Sequence, residues 1–151
     1  MPNYQRALLI VNPVAGHARG LRLSQQLKDA LEARGLVCSV RVTNGQGDAR
    51  RWSAAAGADT FDLIVAIGGD GTVGEVVAGQ ARSTVKVPIA IVPVGTANVV
   101  ALALALPWLP GMAVTTVFRP AAARPGLTTS MPFLSFTTAV PSSISRRFLP
   151  L

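Results

Sequence analysis

The 151-residue chain holds one cysteine, Cys38, one histidine, His17, and two lysines, Lys28 and Lys86. A single cysteine excludes an intramolecular disulfide and a cysteine-built zinc site, and a single histidine excludes a histidine pair for a metal or a proton relay. These counts favour a reducing, cytoplasmic setting. Neither lysine follows a glycine loop, so the G-x-x-x-x-G-K-[ST] signature of Walker-type NTPases is absent. Charged residues make up only 14% of the chain against 50% hydrophobic, which excludes disorder as the state of the whole. One domain of this length, with or without a tail, can bury roughly 70% of its unfolded surface.

Acid is the most unevenly missing component. Residues 1–75 carry eight Lys/Arg and all seven Asp/Glu, whereas residues 76–151 carry six Lys/Arg and no acid, so the halves stand at +1 and +6. Such a surface suits nucleic acid or anionic lipid. The basic residues are scattered, however, apart from Arg146-Arg147, and no stacking aromatics interleave with them, so no nucleic-acid partner is expected. Long apolar runs are scarce as well. The segment Met1–Val11 is too short for a signal peptide, and the one candidate span, Val99–Phe118, is interrupted by Pro107, Pro110 and Gly111.

What is present is an alternation. Arg6–Val11 is a continuous apolar run of the kind that forms a strand buried on both faces. A turn at Asn12–Gly16 leads to a helix over about 20–34, with Leu23, Leu27, Ala30 and Leu31 on one side and Gly35 as its stop. Leu36–Thr43 has the period of a second strand, which predicts that Leu36, Cys38, Val40 and Val42 share a buried face. Asp48–Gly57 is a helix candidate. Phe61–Ile67 and Pro88–Val92 are further strands, followed by helices over Val73–Ala81 and Val99–Leu106. Strand, turn and helix repeating four times predicts a Rossmann-like α/β domain over residues 1–106, with a parallel sheet between two helical layers. Residues 108–151 contain six prolines and no helical period, and strand-like pieces such as Met131–Val140 are short and interrupted, which predicts an irregular Pro/Ser/Thr/Arg-rich tail over 107–151.

Three turns fall at the carboxyl ends of these strands, where such sheets bind ligands. They are Asn12–Gly16, Gly68-Gly69-Asp70-Gly71-Thr72, and Pro93-Val94-Gly95-Thr96-Ala97-Asn98. Each precedes a helix whose first turn exposes unpaired N–H groups and a positive dipole end, suited to phosphate. The glycines permit close approach, and the Thr72 and Thr96 hydroxyls can cap a helix or bond a phosphate oxygen. Simple turn chemistry explains any one of these turns alone, less readily all three. Asp70 among phosphate-binding glycines implies an intervening cation such as Mg²⁺ or a base for an attacking hydroxyl; its structural alternative is a helix N-cap. Gly69-x-Gly71-x-x-Gly74 matches the dinucleotide fingerprint, but no acid follows Glu75 to hold a ribose, which disfavours an NAD or FAD site.

The segments Leu9–Gly16, Ile64–Gly79 and Ile91–Asn98 resemble, in order and spacing, the diacylglycerol kinase catalytic domain family over residues 6–107. That family includes sphingosine, ceramide and bacterial lipid kinases. The resemblance implies ATP with Mg²⁺ and transfer of the γ-phosphoryl group to a lipid hydroxyl, as on diacylglycerol or a sphingoid base, in the cytoplasm or peripherally at the inner membrane surface. It implies that Gly68, Gly69, Gly71 and Thr72 hold phosphates, that Gly95, Thr96 and Asn98 complete the nucleotide site, and that Asn12 lies at the nucleoside side. Asp70 matches the acid that handles metal or activates the acceptor. Glu75 also matches the pattern, with a favourable place near a helix N-terminus as its structural alternative. NAD kinases look similar at Gly-Gly-Asp-Gly, so a small-molecule kinase or a non-catalytic nucleotide-binding module stands as an alternative. Similar bacterial sequences often carry Ala-Arg after the asparagine, where this chain has Ala101-Leu102. Residues 107–151 show nothing of the family's second, β-sandwich domain, which predicts a truncated or frameshifted kinase of low or no activity alone. A natural basic tail that docks on anionic membrane is the competing expectation. Neither the lipid nor the oligomeric state can be read.

Overall fold

Ala7 to Val11 are wholly buried, because the strand they form lies inside a sheet covered on both faces. The computed structural model describes residues 4–16, 19–99, 116–119 and 135–138. In chain order the elements are β1 (Arg6–Val11), α1 (Arg19–Glu32), β2 (Val37–Val42), α2 (Asp48–Ala55), β3 (Leu63–Gly68), α3 (Asp70–Arg82) and β4 (Ile89–Pro93). Two further strands, β5 (Thr116–Arg119) and β6 (Ser135–Thr138), complete a single sheet of order β2-β1-β3-β4-β5-β6.

The first four strands run parallel. Their period of two divides the core. Leu8, Ile10, Ile64, Ala66, Ile89 and Ile91 pack with Val73 and Val76 of α3 and Ala49 of α2. Ala7, Leu9, Val11, Leu63, Val65 and Ile67 face the other way, onto Leu27 and Leu31 of α1. The alternation predicted a three-layer α/β/α domain with a parallel sheet, and that is the architecture observed.

Three details differ from the sequence expectation. β2 is an edge strand, so its two faces are half covered at most; Val40 and Val42, expected to be buried, are 36% and 37% exposed. On its other face Arg41 lies over the rings of Trp52 and Phe61. α3 begins at Asp70 rather than Val73, and Gly69 is its N-cap, so Asp70 does not serve as the cap. Finally, the sheet does not stop at β4. β5 pairs antiparallel with β4 and β6 with β5, within the stretch expected to be irregular. β6 falls within Met131–Val140, a piece that is strand-like in sequence but short and interrupted. The helix expected over Val99–Leu106 lies outside the described residues beyond Val99, as does most of the stretch after it. Among the described residues no helix is long and apolar enough to cross a membrane.

A buried polar clasp fixes α2 and α3 relative to the sheet. The Ser53 hydroxyl donates to Val76 O at 2.6 Å, and Gln80 Nε2 donates to Ser53 O at 2.6 Å. Gln80 Oε1 accepts the Val87 N–H at 2.7 Å just before β4. Gly79 lets the two helices cross closely, since a Cβ there would strike the Arg50 carbonyl oxygen.

Candidate active site

The register of the parallel strands brings their carboxyl ends to one edge: Val11 pairs with Val42 and with Ile67, and Gly68 pairs with Pro93. The loops leaving those ends therefore meet. Asn12 N–H donates to Ile67 O at 2.9 Å, and Val94 N–H donates to Gly68 O at 3.1 Å.

Each of the three turns touches both others. Asn12 Nδ2 donates to the Thr72 hydroxyl at 3.3 Å, while its Oδ1 accepts the Val14 N–H at 3.1 Å. Gly16, at φ 61°, lies so close to Val94 that a Cβ would overlap the Val94 carbonyl oxygen. A Cβ on Gly95 would fall 2.6 Å from the Gly69 Cα and 3.0 Å from Asn98 Oδ1. The Val99 N–H donates to Asp70 Oδ2 at 3.0 Å. Two of these junctions have no room for a side chain, and that is the local reason for their glycines.

Eight of the ten expected site residues fall into two groups. Asn12, Gly71, Thr72 and Glu75 line an open cleft of about 500 Å³. Gly71 is exposed, and a Cβ there would meet nothing within 4 Å. Gly68, Gly69, Gly95 and Asn98 instead form the packed junction beside it. Gly68 is buried under Thr72, and Asn98 is 3% exposed at φ 46°, with Nδ2 donating to Gly95 O at 2.7 Å. Its Oδ1 is buried without a hydrogen-bond partner among the described residues. Thr96 is exposed, and Asp70, in the first turn of α3, sits at the positive end of that helix.

The opposite wall of the cleft was not expected from sequence. It is made by Thr43, Asn44, Gly45 and Gln46, between β2 and α2, with Ala49 behind them. Thr43 continues the ladder, its N–H donating to Val11 O at 2.8 Å. Asn44-Gly45 reads as a simple turn. The available signal was topological: β2 runs parallel to β1, so its exit must reach the same edge.

Comparison with known proteins gives the family. The model of the diacylglycerol kinase catalytic domain matches residues 6–125. The chain belongs to that family. The match runs past residue 107, where the motif resemblance ends, and it takes in β5. The chain is 38% identical over 103 residues to a diacylglycerol kinase of Bacillus subtilis (strain 168), covering 68% of this chain and 34% of that protein. It is 43% identical over 91 residues to a YegS-like lipid kinase of Xanthomonas oryzae pv. oryzae, covering 58% of this chain and 29% of that one. The solved structure of a diacylglycerol kinase from Bacillus anthracis str. Sterne superposes with a TM-score of 0.62 at 34% identity, over 71% of this chain and 39% of that one. The chain thus spans about a third of the length of the curated relatives it matches.

Proposed function

We propose that the cleft binds ATP and that the chain forms the nucleotide-holding part of a lipid kinase. In this reading the γ-phosphoryl group passes to a lipid hydroxyl, such as that of diacylglycerol or a sphingoid base. The observation that carries it is the open first turn of α3. The positive end of its dipole faces a cleft in which Gly71 leaves free space and the Asn12 and Thr72 side chains are already joined. Phosphoryl transfer depends mainly on positioning and on stabilising charge, and a helix N-terminus among glycines supplies both.

Mg²⁺ fits the same donors. Among the described residues no three His, Cys, Asp or Glu side chains cluster, so no all-protein cage is offered. Mg²⁺ binds commonly through one or two carboxylates together with substrate phosphates, and in this reading Asp70 would hold it, directly or through water. When bound, the ion neutralises charge on the phosphate oxygens. Asp70 also stands as the candidate base for the acceptor hydroxyl.

A lipid acceptor would be met at a membrane surface, so peripheral contact from the cytoplasm is part of this reading. In this reading the described residues hold the nucleotide and are not assigned the orienting of the acceptor. Positioning contributes roughly 7–11 kcal/mol in well-oriented reactions, so transfer by this chain alone is expected to be slow. Single-turnover incubation with labelled ATP, protein in excess, against diacylglycerol, sphingosine and NAD tests the reading. Label in a lipid supports it. Label in NAD and in no lipid overturns it, and bound ATP with no transfer reduces the chain to a nucleotide-binding module.

A further inference from the structure

Among the described residues that line the cleft Glu75 is the one acid, and its carboxylate is already engaged. Glu75 Oε1 accepts the Gly47 N–H at 2.8 Å across 28 residues of sequence. Gly47 is the N-cap of α2 at φ 93°, a left-handed conformation that favours glycine, and its carbonyl accepts the Arg51 N–H at 3.0 Å. At the other end of the same loop, the Asn44 N–H donates to Asp48 Oδ2 at 2.9 Å. Both ends of the segment Asn44–Gly47 are therefore held by carboxylates. Asp48 belongs to the helix the loop leads into, so it shapes the loop from within. Glu75 belongs to α3, the helix opened by the glycine turn, so it sets the distance between the two walls of the cleft.

We propose that Glu75 is a positioning residue, a latch from α3 that holds the β2–α2 loop in place as the second wall of the nucleotide cleft, and not a metal ligand. Its effect on binding rests on the nucleotide reading above; the latch itself does not. A neutral amide can still accept the Gly47 N–H through its oxygen, whereas a methyl group cannot. A carboxylate acting on a cation or a proton could not be replaced by an amide.

The test compares Glu75→Ala and Glu75→Gln in the full 151-residue chain. Two quantities are measured: hydrogen exchange at the Gly47 amide without nucleotide, and the Kd for Mg-ADP by calorimetry. A hydrogen bond to a charged group implies that Glu75→Ala speeds Gly47 exchange by about tenfold or more. Weaker ADP binding accompanies it, and Glu75→Gln restores most of both. Unchanged Gly47 exchange in Glu75→Ala overturns the latch. Loss of ADP binding in Glu75→Gln with Gly47 still protected overturns it too, in favour of a charge role, and this arm stands even if the alanine variant does not fold. Faster Gly47 exchange in Glu75→Ala, in a chain whose parent binds no ADP, keeps the latch and removes the nucleotide reading.

Discussion

Asp70 and Val99, 29 residues apart, are joined by a hydrogen bond from the Val99 N–H to Asp70 Oδ2 at 3.0 Å. The acid of the glycine turn is thereby oriented by the backbone that leaves the Gly95–Asn98 turn. An asparagine could accept the same bond through Oδ1 but could neither take a proton nor carry a charge. Asp70→Asn is therefore expected to leave the fold intact and to lower phosphoryl transfer by about 100-fold or more. Single-turnover transfer from labelled ATP, together with thermal melting, checks both halves. Unchanged turnover would remove Asp70 from the chemistry.

Two glycines of the site should respond in opposite ways. A Cβ on Gly95 would strike the Gly69 backbone, so Gly95→Ala is expected to cost about 1–3 kcal/mol of stability. Gly71 lies in α3 with open space at its Cβ, so Gly71→Ala should stabilise the fold by about 0.5–1 kcal/mol. The added methyl stands where the phosphates would lie, so the same variant should bind ADP more weakly. Urea unfolding and calorimetry read the two effects separately.

Gln80 offers the complementary case, stability without function. Its amide satisfies Ser53 O and the Val87 N–H inside the α2–α3–β4 junction. Gln80→Ala leaves the buried Val87 N–H unpaired, at about 1–3 kcal/mol, while Ser53 O loses one of its two donors and keeps the Ala56 N–H. The midpoint of urea unfolding should fall clearly, while ADP affinity at a temperature where the variant is folded stays that of the parent.

Much of this was legible in sequence because two periods coincide with two layers. The apolar runs at Ala7–Val11 and Leu63–Gly68 are buried on both faces, and glycine clusters mark where they end. The buried face assigned to β2 was misjudged because edge position is a property of the sheet order, which the pattern Leu36, Cys38, Val40, Val42 does not encode. The second cleft wall was missed for a related reason. Thr43 and Gln46 carry no motif; parallel pairing with β1 brings them to the site. Of the antiparallel pair, β6 falls within Met131–Val140, a strand-like but interrupted piece, while β5 reads Thr-Val-Phe-Arg, with its two apolar residues adjacent and no alternation to find.

Cys38 on β2 is half-buried, and burial raises its thiol pKa above the ordinary value. Burial disfavours the thiolate, so at any pH near the free-thiol pKa the reactive fraction is smaller than in a free thiol. Iodoacetamide at about pH 8 should therefore alkylate Cys38 more slowly than it alkylates glutathione, and the rate should still be rising at pH values where glutathione has levelled off. An equal or faster rate would contradict the role of Cys38 as a packing residue.

The central claim is that nucleotide phosphates rest on the first turn of α3, between the Asn12 and Thr43 walls. Titrating the ¹⁵N-labelled chain with Mg-ADP and following its backbone amides tests this most directly. Saturable shifts are expected at Asn12, Thr43, Gly71 and Thr72, with Gln80 to Val87 unmoved. Shifts confined to other surfaces, or none up to millimolar ADP in a folded chain, would contradict it.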